Sequence, residues 1–193
     1  MSRTEMRRFL HIGRGFAGAE RGIAVVEFAL ILPVLMTLFY GTIEVARYIL
    51  ITQKVEKLAH AIADVTAQEQ VTSVAALNQA LAATSDIMSP YSMTTNGTVI
   101  ISALYRADGA ADATIIWRHQ GGGSLVATSQ IGALNAIPVV PGGFTFDTRE
   151  NVIAAEVFYR FSPLISTQFF GPTTIYRSAF YKPRFGALLT PPV

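Results

Sequence analysis

The sequence predicts an α+β protein in which a long N-terminal transmembrane helix continues as an amphipathic helix packed on a small antiparallel sheet. Three observations carry this reading. Residues 28–43, FALILPVLMTLFYGTI, are sixteen consecutive uncharged positions. Apolar residues then recur at three-and-four spacing as far as residue 65. Past residue 97 the period changes to short runs rich in β-branched and aromatic residues, separated by glycine and proline.

The first run is long enough to span a bilayer. Counted from Ile23, and accepting Glu27, it has 21 residues. At 1.5 Å of rise each they cover about 31 Å, the thickness of a hydrocarbon core. A cleaved signal peptide would have a shorter apolar core ending at a small-residue site, and this run passes unbroken into more helix. Composition agrees: 51% of the chain is hydrophobic and 15% charged, with a mean hydropathy of +0.39. Orientation follows from the flanks. Residues 1–22 hold five arginines (Arg3, Arg7, Arg8, Arg14, Arg21) against Glu5 and Glu20, a net +3, so the other 171 residues net −1. The positive-inside rule keeps that head cytoplasmic and sends everything after about residue 51 outward. The predicted topology is thus a single crossing, with the C-terminal part periplasmic or extracellular. With the basic charge confined to a short head, no stripe for nucleic acid is expected. The absence of cysteine removes disulfides, thiolate zinc sites, iron–sulfur clusters and a cysteine nucleophile.

The helix is expected to continue to residue 67. Val45, Tyr48, Ile49, Thr52, Val55, Leu58, Ala59, Ile62 and Val65 form its apolar face, and Lys54, Glu56, Lys57, His60, Asp64 and Glu69 its wet one. Pro33 lies inside the span, where a kink is expected and tolerated. Three parts follow: a leader over 1–22, a helix over 23–67 (transmembrane over about 23–43), and an exported α+β domain over 68–193.

Within that domain, residues 71–88 read as a second helix ending before Pro90. Strands are expected at 98–105, 113–119, 124–130, 152–161 and 174–181. In the fourth, Ile153, Ala155, Val157, Tyr159 and Phe161 share one face while Glu156 and Arg160 fall on the other, the pattern of a half-buried strand. Asp108-Gly109 and Gly121–Gly123 supply turns, residues 132–149 a long loop, and the tail ending in Pro191 and Pro192 is expected to fray.

The chemically unusual place is Arg21-Gly22-Ile23-Ala24-Val25-Val26-Glu27-Phe28. A carboxylate in the outer bilayer costs a few kcal/mol unless paired. Cleavage after Gly22 would create an α-amino cation on Ile23 about one turn from Glu27, on the same chain or a neighbour. The alternative is a glutamate that snorkels to the headgroups. Glu44 and Arg47, at i and i+3, share a helix side. They read as a surface ion pair worth under about 1 kcal/mol, or as a contact between subunits.

The stretch from Gly22 through EFALILPVLMTLFYGTIEVARYILITQKVEKLAHAIADVTA resembles the N-terminal domain of the TadE-like pseudopilins of bacterial tight-adherence (Tad or Flp) pili. Gly22 followed by Glu27-Phe28, the proline motif at Leu32-Pro33, and Glu44 followed three residues later by Arg47 carry the resemblance, which covers about 45 of the 193 residues. It implies a pilin-like fold and a substrate rather than an enzyme. A prepilin peptidase would cut after Gly22 and expose Ile23, and Glu27 would pair with a neighbouring subunit's terminal amine, setting register. The implied function is that of a minor pilin in Tad-pilus assembly, and so in surface attachment. Its implied partners are the peptidase, other pilins of the apparatus and membrane lipid, with no cofactor, metal or small-molecule substrate. The competing function is an uncleaved, membrane-anchored periplasmic binding or scaffold module.

Other motifs point nowhere. Gly13-Arg14-Gly15-Phe16-Ala17-Gly18 matches a dinucleotide fingerprint but lacks the βαβ unit that the chemistry needs. Asn96-Gly97-Thr98 reads as a turn rather than a glycosylation site. His11, His60 and His119 lack metal-ligand spacing, no nucleophile elbow occurs, and Asp108 and Asp112 flank a turn. Trp117 reads as a core or sheet-face aromatic, with Arg118 and His119 as candidates for a binding surface.

Overall fold

The computed structural model describes residues 20–143, 145–164 and 171–193. The arginines up to Arg14, His11 and the glycine-rich stretch 13–18 lie outside the described residues. Helix α1 runs over Glu20–Ala67 and continues through Pro33. It is the one described helix long and apolar enough to cross a membrane. The chain divides into two compact units, Met1–Val45 and Ala46–Val193.

In the first unit, the described residues are all helical. Among the described residues, the most apolar window of the helix is wholly unburied. The helix keeps its own polar atoms satisfied, because Thr37 Oγ1 donates to the Pro33 carbonyl at 2.8 Å and Thr42 Oγ1 to that of Leu38 at 2.9 Å. Such back-bonding lets hydroxyls sit in lipid without a water partner.

The second unit is built on a four-stranded antiparallel sheet of β1 (Gly97–Tyr105), β2 (Thr114–Gly121), β3 (Asn151–Phe161) and β4 (Thr173–Tyr181), in the order β2-β1-β3-β4. On one face Val99, Ile101, Ala103, Trp117, Ile153, Ala155, Val157 and Ile175 meet Ile51, Val55, Leu58, Ala59, Ile62 and Ala63 of α1. These helix positions recur at three and four residues, so a single stripe reaches the sheet. The stripe differs from the expected face at its margins. Ile51 is buried, whereas Val45, Ile49 and Val65 are exposed, because the interface line drifts round a 3.6-residue helix and hydrophobicity alone does not fix its centre.

The expected helix over 71–88 is two helices, α2 (Val74–Ala82) and α3 (Thr84–Met88). Ser73 caps α2, its Oγ accepting from Ala76 N at 3.1 Å. A further short helix, α4 (Met93–Asn96), ends where β1 starts, so Asn96-Gly97 is a helix-to-strand junction and not a turn. There Gly97 is packed so closely that an added Cβ would lie 2.2 Å from Met93 Sδ.

Two further expectations are corrected. Residues 124–130 form no strand: beyond Gly122, at a φ of 76°, the chain crosses the other face of the sheet and gives its amides to a side chain described below. The tail is held rather than frayed. Leu188 is buried, its carbonyl accepts from Trp117 Nε1 at 2.8 Å, its amide donates to Asn151 Oδ1 at 2.8 Å, and Val74 N donates to the Val193 carbonyl at 3.1 Å.

The second face carries a smaller core. Leu104, Ile115, Val152 and Ala154 are covered by Ile131, Val140 and Phe146 from the long loop that joins β2 to β3, which takes in the expected strand over 124–130 as well as the expected loop over 132–149. That loop also closes part of the outer edge of β2, with Ile115 N donating to the Ala136 carbonyl and Asn135 N to that of Ile115. Asn135, at a φ of 61°, supplies the left-handed corner this needs.

Candidate functional site

The residues singled out by the sequence lie at the start of α1. Gly22, Ile23, Glu27 and Phe28 are helical and exposed. Ile23 and Glu27 are four residues apart, about 6 Å of rise, on one side of the helix. Ile23 is 62% and Phe28 59% exposed, so neither is buried among the described residues. Among the described residues, a Cβ built at Gly22 meets nothing within 4 Å. Glycine in a helix costs about 1 kcal/mol relative to alanine, and packing among the described residues does not explain its use here.

Glu44 and Arg47 fall on either side of the division between the units. Glu44 is buried and Arg47 half-buried. The Arg47 guanidinium lies 5.6 Å from the centroid of the Phe161 ring, a cation–π arrangement, and Tyr48 packs edge-on against the same ring at 5.3 Å.

The binding-surface candidates are structural. Trp117 is 2% exposed and in the core. Arg118 donates to Ser102 Oγ, Ser129 Oγ and the Gly132 carbonyl, tying the long loop to the sheet. His119 lies 3.0 Å from Asn78 Oδ1, and burial lowers its pKa.

Sequence reasoning missed the most elaborate polar cluster. Glu156, placed on a wet face by alternation, is wholly buried. Its Oε2 accepts from Ser129 Oγ at 2.5 Å. Its Oε1 accepts from Gln130 N at 2.7 Å, Tyr176 OH at 3.1 Å and Ile131 N at 3.3 Å. The signal was present in β3 itself: Val152, Ala154 and Phe158, on the same side as Glu156, are apolar, as expected of a strand covered on both faces. Burial, with the Glu156 carboxylate beside it, pushes the Tyr176 hydroxyl up to about 12. Every partner comes from the chain, so the cluster fastens the loop.

A surface pocket of about 300 Å³ lies beside Arg106, Asp112 and Phe146. The Arg106 side chain is engaged there with the Ala110 and Phe146 carbonyls. Among the described residues, no three histidine, aspartate or glutamate side chains cluster as metal ligands.

Residues 22–64 match the TadE-like protein family. The TadE-like segment covers 43 of the 193 residues. It contains Gly22, Ile23, Glu27, Phe28, Glu44 and Arg47, together with the α1 stripe from Ile51 to Ala63, and stops before the sheet. No curated protein and no solved structure matches the chain. The TadE-like match suggests a Tad pilus-associated protein, and the apolar helix that begins the segment fits membrane anchoring.

Proposed function

We propose that the chain is a minor pilin or pseudopilin used in assembling a Tad-type pilus. Its parts are a cytoplasmic leader over 1–22, a TadE-like helix over 23–67 that spans the inner membrane at about 23–43, and an exported domain over 68–193. A prepilin peptidase hydrolyses the bond after Gly22, releasing the leader and leaving a free α-amine on Ile23. That cation neutralises Glu27, which lipid would not accept alone. Pairing with the Glu27 of an adjacent pilin fixes how far one helix advances past the next, while the 23–43 span holds the subunit in the membrane until then.

The observation that carries this reading is a glycine without a packing role, one turn before a carboxylate on an uncovered apolar helix, both inside the TadE-like segment. N-terminal sequencing of the membrane-extracted protein tests it. A mature chain beginning at Ile23 supports the proposal, and one beginning at Met1 or Ser2 makes the protein an uncleaved anchored module. In Glu27→Ala, piliation and crosslinking to neighbouring pilins are expected to fall. Their persistence would refute the register role.

A further inference from the structure

The sheet of the unit Ala46–Val193 ends on β2 at one side and on β4 at the other, and the two edges differ. The long loop bonds to the Ile115 amide and carbonyl and so closes part of the β2 edge. The groups that β4 turns outward follow from the ladder. Arg106 N donates to the Glu150 carbonyl at 3.0 Å, one step beyond the Tyr105–Asn151 pair, so even-numbered residues of β1 and β3 exchange bonds with each other. Alternate residues of an antiparallel strand bond to opposite neighbours, so the odd-numbered residues of β3 bond to β4. Their partners include Ile175, Arg177 and Ala179. The amides and carbonyls of Thr174, Tyr176, Ser178 and Phe180 therefore point out of the sheet edge.

Among the described residues, the group that reaches these outward atoms is the Arg177 side chain. It folds back so that Nη1 donates to the Tyr176 carbonyl at 2.7 Å. Its Nε stands 4.0 Å from Glu56, with both side chains about half exposed, too far for a close hydrogen bond. Lys182 and Arg184, which follow the strand, are held by Glu150 and Asp64. Arg177 is thus a cation at the centre of an open edge, a guard against indiscriminate pairing.

Charge selects the occupant. A strand added antiparallel places the residue opposite Arg177 on the same face, with Cα atoms about 4.5 Å apart. A carboxylate there takes over the guanidinium and releases the Tyr176 carbonyl to the new ladder. A second copy of the chain does not supply one from a sheet edge. Its β2 (TIIWRHQG) and β4 (TTIYRSAFY) contain no aspartate or glutamate, and each brings an arginine instead. We propose that the β4 edge docks an extended acidic segment of another polypeptide, which joins antiparallel as a fifth strand with its carboxylate opposite Arg177. On the other face, the half-buried Tyr176 and Phe180 rings favour apolar side chains opposite them. The pairing concerns the Ala46–Val193 unit alone and does not depend on the membrane span.

The full chain in detergent tests this with two blocked peptides as long as β4, nine residues. Both alternate threonine and valine, one with glutamate at its centre and the other with lysine. The glutamate peptide is expected to slow hydrogen exchange at the Tyr176, Ser178 and Phe180 amides. It should bind about three to ten times more tightly than the lysine peptide. The preference should vanish in Arg177→Ala and reverse in Arg177→Glu, with unchanged Trp117 emission showing that the fold is kept. Failure of the glutamate peptide to bind, equal binding of the two peptides, or binding that leaves those amides unprotected overturns the inference. Protection that the chain shows without peptide, growing with its own concentration, also overturns it and gives the edge to a second copy.

Discussion

Replacing Glu156 tests how the long loop is fastened to the sheet. In Glu156→Ala, the Gln130 and Ile131 amides lose the oxygen they share, at 2.7 and 3.3 Å. The half-buried Ser129 and Tyr176 hydroxyls can turn toward water. Each orphaned buried donor costs about 1–3 kcal/mol. Relief of the buried charge offsets part of this, and a loss of about 2–4 kcal/mol is expected. Glu156→Gln keeps an oxygen for the three Oε1 donors but directs an NH₂ at Ser129 Oγ, which already accepts from Arg118 at 3.0 Å. It loses charge assistance, and about 1–2 kcal/mol is expected. Trp117, the single tryptophan, is buried and reports unfolding of the detergent-solubilised chain in denaturant. Hydrogen exchange reads the Gln130 and Ile131 amides directly. Unchanged protection of those two amides in Glu156→Ala would refute the fastening role, whatever the midpoint does.

Leu58→Ala, in the centre of the α1–sheet interface, is expected to cost about 2–5 kcal/mol, read by the same Trp117 transition; Val65→Ala, exposed on the same helix, should move it little. For Tyr176, the folded pKa of about 12 lies above the ordinary 10.0, so between these values the unfolded chain loses its proton first. The stabilising contribution is complete below pH 10 and declines as pH rises toward 12, an effect Tyr176→Phe should remove. Tyrosinate absorbance measures the titration, and an ordinary value for Tyr176 would contradict its burial beside Glu156. Replacing Arg3, Arg7, Arg8 and Arg14 by neutral residues is expected to weaken or invert insertion. Unchanged protease accessibility of the C-terminal unit would count against the charge argument.

Much of this architecture was legible because it rests on periodicity. The extent of α1, four of the five expected strands and the burial of Trp117 all follow from runs whose spacing admits one structure. What escaped depends on neighbours distant in sequence. Glu156 looked solvent-facing because a charge was weighed without the loop 26 residues away that supplies its donors. Residues 124–130 have strand-like composition, but the amides of Gln130 and Ile131 go to that carboxylate instead of a ladder. The tail looked loose because prolines end it, while its anchors, Trp117 and Asn151, lie 71 and 37 residues upstream of Leu188. At the start of α1 the reverse holds. Gly22, Ile23, Glu27 and Phe28 stood out in the sequence, and among the described residues all four are exposed.

The stripe from Ile51 to Ala67 is consumed by the protein's own interior. In the proposed assembly, a bundle drawing on α1 from several copies therefore has only the residues ahead of it to gather, and each additional copy brings its sheet along. Lengthening that bundle means stacking the early turns of the helix, since unwrapping the later ones would dismantle the subunit being added.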